Sequence, residues 1–275
     1  MTDTARPTAA DNQRKKLARV SRDRAVLVRR ERVTAIFVDG GFYRRRAARL
    51  FGHKTPAQRA DELLEYCRRH IRQAHGSLYR IFYYDCPPSD KVIYHPLTQR
   101  DVNLAKTDNY AWMNEFHKEL LRRRKVALRR GENLQTQNGY QLKPRTLKKL
   151  LRGDIELDAL TEDDFFLNIT QKGVDMRLGL DVALLSQNHY VDQIIMIAGD
   201  SDFVPAAKHA RRAGVDFILD PMWAHIADSL HEHVDGVFQC VNKMPDNERD
   251  PLHIGNMTKN ADSTQEATVS DSYDI

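Results

Sequence analysis

The chain has 275 residues, of which 41% are hydrophobic and 29% charged, with a net charge of +5 and an isoelectric point near 9.0. This composition is typical of a soluble globular protein. No segment approaches the ~20 apolar residues of a membrane span, and the amino-terminal residues do not resemble a signal peptide. The three cysteines form neither a metal-type pair nor a disulfide framework, so we expect a cytoplasmic protein with no membrane association.

Buried strands and amphipathic helices alternate along the chain. Strands are predicted at 33–38, 78–85, 126–132, 191–200, 215–220 and 237–240. Helices are predicted at 57–75, 110–125, 174–186, 203–214 and 223–235. This alternation predicts an α/β fold, a Rossmann-like three-layer sandwich with a central parallel sheet.

Aspartates follow several of the predicted strands. Asp39, Asp85 and Asp200 each fall at the end of a strand. In parallel sheets, ligands bind beyond the carboxyl ends of the strands, so we expect these three residues at one ligand-binding edge.

One further acid follows a strand end and another begins a helix. Asp202 follows Asp200 closely, and Asp175 begins a predicted helix. Like charges gathered at the end of a buried strand repel each other unless something positive lies between them. Carboxylate oxygens suit Mg or Mn, which would also bind phosphate and activate a water. The competing interpretation is that Ser201 or Asp202 only caps the following helix.

Lysine and arginine are concentrated in a few short runs, including RKKLARVSRDRAVLVRRER, YRRRAAR, LLRRRKVALRR and KPRTLKKLLR. Such clusters favour a polyanionic partner whose phosphate groups are bound. For any single run, the competing interpretation is a solvated helix face without a binding role.

Three segments, IFVDGGF, KGVDMRLGLDVALL and IIMIAGDSDFVPAAKHARRAGVDFIL, occur in an order that resembles the NYN domain, specifically its LabA-like bacterial branch. NYN domains belong to the PIN-like superfamily of metal-dependent ribonucleases. The resemblance covers residues 32–242 and implies a parallel sheet flanked by helices, with acids at the strand ends that hold Mg or Mn and cleave RNA. Gly41 is a departure, because many members of the family have asparagine there.

The resemblance also implies roles for individual residues. The catalytic residues would be Asp39, Asp175, Asp200 and Asp202. The metal ligands would be the same four together with Asp181, and Ser201 would support them. Asp85, which we expect at the same edge from its strand end, is a further supporting residue. The side chains that we expect to bind the RNA backbone are Arg122, Arg123, Arg124, Lys125, Arg129, Arg130 and Lys172.

The domain organisation follows from the extent of the resemblance. Residues 1–31 would form a basic amino-terminal arm, 32–242 the nuclease domain, and 243–275 a disordered tail without apolar periodicity. The segment near 88–165 is long for the minimal domain, so we interpret it as an insertion that binds substrate or a partner.

Two alternatives to a metal-dependent endoribonuclease stay open. One is an RNA-binding or regulatory module with little turnover, although concentrated negative charge would not help a pure binder of phosphate. The other is a phosphatase with an Asp-x-Asp nucleophile, which would need the pair at the end of the first strand, where only Asp39 is found. The RNA class, a preference for RNA over DNA, and a homodimer or regulatory protein partner also stay open.

Overall fold

The computed structural model describes residues 31–132, 135–170 and 173–241. The predicted tail at 243–275 and almost all of the predicted arm at 1–31 lie outside these residues. Among the described residues, no helix has both the length and the apolar character that a membrane span requires.

Ten strands and seven α-helices form within the described part of the chain. The strands are β1 (Arg32–Asp39), β2 (Gly76–Asp85), β3 (Val92–His95), β4 (Arg100–Asn103), β5 (Val126–Arg130), β6 (Gln135–Leu142), β7 (Phe165–Thr170), β8 (Gln193–Ile197), β9 (Asp216–Asp220) and β10 (Gly236–Val237). The helices are α1 (Gly40–Phe51), α2 (Pro56–Ala74), α3 (Asp108–Arg122), α4 (Pro144–Leu151), α5 (Val174–Gln187), α6 (Val204–Arg212) and α7 (Asp228–His231). The sequence predicts β1, β2, β5, β8, β9 and β10, and the helices α2, α3, α5 and α6.

The six predicted strands form one parallel sheet in the order β10-β9-β8-β1-β2-β5. Val38 on β1 pairs with Ile197 on β8, and Asp39 pairs with Tyr84 on β2. Ile197 in turn pairs with Asp220 on β9. The strands therefore end level with one another, at what we call the carboxyl edge.

Alternate side chains of the strands enter two separate cores, because successive residues of a strand point to opposite faces. Ala35 and Phe37 of β1 pack with α5 and α6, whereas Ile36 and Val38 pack with α1, α2 and α3. All four are fully buried. Helices on both faces of a parallel sheet confirm the predicted three-layer α/β sandwich.

Helix α1 is not predicted by the sequence, because the two glycines after Asp39 read as a sharp turn. Gly40 instead lets the helix start close against β2. A Cβ at this position would come within 2.6 Å of both the Tyr83 ring and the Tyr84 carbonyl oxygen. Asp39 caps the helix, since its carboxylate accepts a hydrogen bond of 3.1 Å from the Phe42 amide.

The predicted helix at 223–235 is wrong for most of its length. Only the four residues of α7 are helical, and the chain before them forms a tight turn. The Ala224 amide donates to the Pro221 carbonyl oxygen at 2.7 Å, while Met222 and Trp223 between them have φ angles of 45° and 61°. A right-handed helix cannot begin through two successive left-handed residues.

Two small antiparallel sheets lie outside the six-stranded sheet, where β3 pairs with β4 and β6 with β7. They pack on each other through His95, whose ring centroid lies 4.3 Å from that of Tyr140 and 5.2 Å from that of Phe165. Most of these strands fall within the segment 88–165. That segment also contains α3 and β5, which belong to the sandwich, so it is not one continuous addition to the fold.

Candidate active site

Asp39, at the end of β1, is half-buried, and burial raises the pKa of its carboxyl group. The hydrogen bond from the Phe42 amide and the nearby guanidinium groups of Arg45 and Arg44 act in the opposite direction. The Asp200 carboxylate raises the pKa further. The Asp39 carboxyl group therefore lies within electrostatic reach of a second acid and of two arginines.

Asp200 and Asp202 lie just beyond β8, around the start of a short 3₁₀ turn, Ser201–Phe203. The Asp200 carboxylate accepts a hydrogen bond of 3.0 Å from the Asp202 amide, so Asp200 caps this turn. Helix α6 has no side-chain cap. The interpretation of Ser201 or Asp202 as a mere helix cap is therefore wrong, and both of these residues are exposed.

Asp175 lies in the first turn of α5 and is exposed. Desolvation raises the pKa of its carboxyl group, and the carboxylates of Asp39, Asp200 and Asp202 raise it further. These charges act on Asp175 because the four acids lie near one another in space. The structure thus brings together, from two strand ends and one helix start, the four residues predicted as catalytic.

Three consecutive arginines of α1, Arg44 to Arg46, follow Asp39 in the chain, and two of them are already bound. Arg44 forms an ion pair with Asp85, and Arg46 donates hydrogen bonds of 2.9 and 2.5 Å to the Met222 carbonyl oxygen. Among the described residues, the half-buried Arg45 has no hydrogen-bond or ion-pair partner. The sequence does not reveal which of these three consecutive arginines is available, because the partners of the other two are distant in sequence.

Asp181 does not join the four acids. Its carboxylate accepts a hydrogen bond of 2.7 Å from the Tyr84 hydroxyl and forms an ion pair of 3.0 Å with Arg129 Nε. It is also not among the charges that raise the pKa of Asp175. Asp181 links α5 to β2 and β5 in this arrangement, and its role as a metal ligand stays a prediction that requires these contacts to open.

Asp85, at the end of β2, is fully buried and bound by protein groups. Arg44 forms an ion pair with its carboxylate, and His117 Nε2 lies 3.0 Å from the same oxygen. Burial lowers the pKa of His117 to about 3, so this imidazole is neutral and Arg44 carries the balancing charge. Asp85 thus ties α1 and α3 to the end of β2, and its role in supporting the metal ligands stays a prediction.

The first four predicted RNA-binding residues lie before β5 or at its start, away from the carboxyl edge. Arg122 and Arg123 form ion pairs with Glu119. Lys125 donates from Nζ to a backbone carbonyl of β2, and Arg124 is exposed. The charges of Arg122 and Arg123 are thus paired within the protein, as the interpretation of a solvated helix face anticipates.

The other predicted RNA-binding residues of this segment lie at the carboxyl edge, where β5 ends level with β2. Arg129 pairs with Asp181, whereas the Arg130 side chain is exposed. Arg177 on α5 also reaches this place, because its guanidinium group donates to the Arg130 carbonyl oxygen at 2.5 Å. Lys172 lies outside the described residues.

A second group of potential metal ligands is buried beside β9. Among the described residues, His70, Asp220 and Cys240 are the only group of three whose ligand atoms all lie within 4.8 Å of one another. Asp220 accepts hydrogen bonds from the Tyr66 hydroxyl at 2.5 Å and the Met222 amide at 2.8 Å, and His70 Nε2 lies 2.6 Å from it. The spacing of the cysteines in the sequence does not predict this group, because its members meet only in the folded chain.

The four acids suit a hard divalent ion by their chemistry, because all of the donors are carboxylate oxygens. They are more widely spaced than the buried group, since no three of them have oxygens within 4.8 Å of one another. Mg²⁺ usually keeps several waters and contacts only one or two carboxylates, so this spacing is compatible with it. A bound cation would also relieve the repulsion that raises the pKa of Asp175.

The family model of the NYN domain matches residues 33–239, which is most of the chain. The chain belongs to the NYN domain family. NYN domains are part of the PIN-like nuclease superfamily, and the parallel sheet between two helical layers agrees with that fold. The family predicted from sequence is therefore confirmed, while the assignment of this NYN domain protein to the LabA-like branch stays a prediction.

Similarities to solved structures are remote. A protein of unknown function from Vibrio parahaemolyticus is 12% identical, with a TM-score of 0.41, over 77% of this chain and 94% of its own. A Sir2 mutant in complex with a p53 peptide and NAD is 11% identical, with a TM-score of 0.29, over 79% of this chain and 91% of its own. Neither likeness bears on function at these values. No curated protein sequence matches the chain.

Proposed function

We propose that this NYN domain protein is a metal-dependent endoribonuclease that hydrolyses the phosphodiester bonds of RNA. The observation that carries the proposal is the meeting of Asp39, Asp175, Asp200 and Asp202 at the carboxyl edge. A fold gains no stability from several acids held together, because their charges repel one another. An activity that requires a bound cation explains why the four acids are held together.

Mg or Mn is the cofactor that we propose, held by oxygens of these four residues. When bound, such an ion neutralises phosphate charge and lowers the pKa of a bound water. Two of the carboxylates are oriented by the backbone, since the Phe42 amide binds Asp39 and the Asp202 amide binds Asp200. Asp175, which is exposed and whose pKa is raised, would accept a proton from an attacking water.

Arginines at the same edge would bind the phosphate groups of the RNA. Arg45 is close enough to lower the pKa of Asp39 and has no partner among the described residues, and Arg130 is exposed at the end of β5. Contacts of this kind position the chain without reading its sequence. Arg122 and Arg123 would contribute less, because Glu119 already pairs with both. The free thiols of the three cysteines agree with the cytoplasmic location that we propose.

A cleavage assay on the full chain tests the proposal, with single-stranded RNA and DNA oligonucleotides in Mg²⁺, Mn²⁺ or EDTA. We expect cleavage of RNA with a divalent ion, none in EDTA, and none with Asp39→Asn or Asp200→Asn. Asp61→Asn is the control, because Asp61 is an exposed carboxylate that pairs with Arg123 on another part of the surface. Binding of RNA without cleavage in every condition would favour a regulatory module instead. Cleavage that persists in both site variants would place the chemistry elsewhere.

A further inference from the structure

A tight turn at the carboxyl edge holds an exposed tryptophan in a backbone conformation that tryptophan rarely adopts. The turn follows β9 and is closed by the hydrogen bond from the Ala224 amide to the Pro221 carbonyl oxygen. Its two central residues, Met222 and Trp223, both have positive φ, as in a type I′ turn. Glycine, asparagine and aspartate dominate such positions, because larger side chains are strained there.

Several contacts hold this strained turn in place. Asp220 accepts a hydrogen bond from the Met222 amide, and Arg46 donates two to the Met222 carbonyl oxygen. The Met222 side chain is fully buried. Trp223 donates from Nε1 to the Val241 carbonyl oxygen at 3.0 Å. The protein therefore fixes both the backbone of the turn and the position of the indole.

The Trp223 side chain nevertheless stays open to solvent, with 39% of the residue exposed. Trp112, by contrast, stacks on Phe116 with ring centroids 5.0 Å apart and lies within the helical layer. An anchored ring on a rigid backbone, with an open surface, is what a stacking ligand requires. Strained backbone held by its neighbours is also typical of ligand clamps.

The turn lies at the same edge as the four acids. It follows Asp220, which is level with the end of β8, from which the chain continues to Asp200. Arg46, which binds the turn, is adjacent to Arg45, and the Arg45 charge acts on Asp39. A strand of RNA that crosses this edge would therefore meet the indole, the arginine and the acids together.

We propose that Trp223 is a base-stacking platform, on which an unpaired base of the RNA lies while Arg45 contacts the backbone. This inference rests on the proposed ribonuclease function and narrows its substrate to single-stranded RNA. A base inside a duplex has no free face to stack on the indole. Every base has such a face when unpaired, so Trp223 selects single strands without selecting a sequence.

Fluorescence of the full chain tests the platform directly. With Trp112→Phe and Asp200→Asn combined, Trp223 is the only tryptophan left and the RNA is not cleaved. Titration with a short single-stranded oligoribonucleotide should quench its emission, and the same sequence as a duplex should not. Anisotropy of labelled RNA measures binding in parallel.

Two substitutions separate stacking from a purely structural role. Trp223→Phe and Trp223→Leu both lose the hydrogen bond to Val241, so they share any structural defect, but only phenylalanine keeps an aromatic face. We expect the dissociation constant for single-stranded RNA to rise about tenfold with leucine and clearly less with phenylalanine. Duplex binding should not distinguish the two variants.

The outcomes also separate this inference from the function on which it rests. Single-stranded RNA that binds without changing Trp223 emission, or with equal affinity for the leucine and phenylalanine variants, overturns the platform and leaves the ribonuclease proposal standing. Quenching by single strands with no cleavage in any metal retains the platform and refutes the nuclease. An unaltered chain that binds no RNA refutes both.

Discussion

Each of four adjacent strands, β9, β8, β1 and β2, has an aspartate at its carboxyl end or just beyond it, and the inner pair of aspartates differs from the outer pair. The outer two, Asp220 and Asp85, are fully buried and bound by side chains of the surrounding helices. The inner two, Asp200 and Asp39, are more accessible, and each accepts a hydrogen bond from a nearby backbone amide. Aspartates at one sheet edge are thus buried and bound by side chains on the outer strands, and accessible to solvent on the inner strands.

Burial accounts for this difference. A buried carboxylate is tolerated only when donors or a cation compensate its lost hydration. Asp85 has Arg44 for this purpose, and Asp220 has the hydroxyl of Tyr66 and the ring of His70. The inner aspartates keep contact with solvent instead. The inner aspartates can therefore lie near further acids, and a bound cation can balance the negative charge of this group.

Asp202→Asn removes one carboxylate from the four acids that meet beside the inner aspartates. Cleavage should fall by at least about 100-fold, because stabilisation of transition-state charge by the ion depends on its carboxylate ligands. Stability should not fall, since α6 has no side-chain cap to lose and a charge that repels Asp175 is removed. Single-turnover cleavage and thermal unfolding measure the two effects, and RNA binding should persist. Full activity would remove Asp202 from the catalytic group.

Substitution of an outer aspartate should mainly reduce stability. Asp85→Asn leaves the buried Arg44 without its counter-charge, which should destabilise the fold by about 3–5 kcal/mol in urea unfolding. Combining it with Arg44→Met removes the unpaired charge and should recover much of that loss. An unfolding midpoint unchanged by Asp85→Asn would show that water reaches the guanidinium group and that the site is not closed.

Asp181→Asn should have an intermediate effect on cleavage, because Asp181 is near the acids but bound to Tyr84 and Arg129. Asparagine can still accept the hydrogen bond from Tyr84. We expect a loss of cleavage rate of about tenfold, as for residues that position a metal site without binding the metal. A loss as large as that of Asp202→Asn, together with a higher metal requirement, would instead make Asp181 a ligand.

Much of the central sheet and the acids at its edge could be predicted from the sequence. The uniform apolar runs of β1, β2, β8 and β9 indicate buried parallel strands, and parallel strands end at one edge. Asp39 and Asp200 follow directly from that reasoning. Asp175 is visible in the sequence as an acid at a helix start, but its catalytic role follows only from the resemblance to a family, because a position in a helix does not reveal which sheet edge the helix begins beside.

The remaining features depend on contacts between distant parts of the chain. Helix α1 begins at a glycine because Tyr83 leaves no space for a Cβ, and the turn after β9 is held by Arg46. No local pattern contains either contact. The same holds for the basic runs, since only the folded chain shows that Arg44 is paired with Asp85 while Arg45 has no partner among the described residues.

Arg45→Gln tests whether the arginine near Asp39 binds RNA phosphate. Loss of one phosphate contact should weaken binding of single-stranded RNA a few-fold and reduce the salt dependence of the logarithm of affinity by about 0.7. Arg122→Gln is the matched control, because Arg122 is paired with Glu119 and should leave that slope unchanged. Equal slopes for both variants would mean that Arg45 does not contact the RNA. A flatter slope for Arg122→Gln alone would restore the 122–125 run as the binding surface.

Asp175→Asn should change stability only slightly, and this change measures the repulsion among the four acids. Desolvation, and then the carboxylates of Asp39, Asp200 and Asp202, raise the pKa of Asp175 above its value in the unfolded chain. The folded protein therefore binds this proton more tightly, so the group costs no stability below about pH 4 and destabilises the fold as pH rises through its folded pKa. In EDTA near pH 7 the variant should melt about 1–3 °C higher, a small gain because solvent screens an exposed carboxylate.

The difference in melting temperature should vanish below about pH 4, where the carboxyl group is protonated in both states. Mn²⁺ should reverse the order of the two proteins, because an ion that binds only the folded state stabilises the better ligand set. Thermal unfolding across pH, with and without the ion, measures both effects. A variant that melts lower than the unaltered protein in EDTA near neutral pH would show that a protein cation already balances Asp175. The acids of the inner strands would then be neutralised by protein groups, as those of the outer strands are.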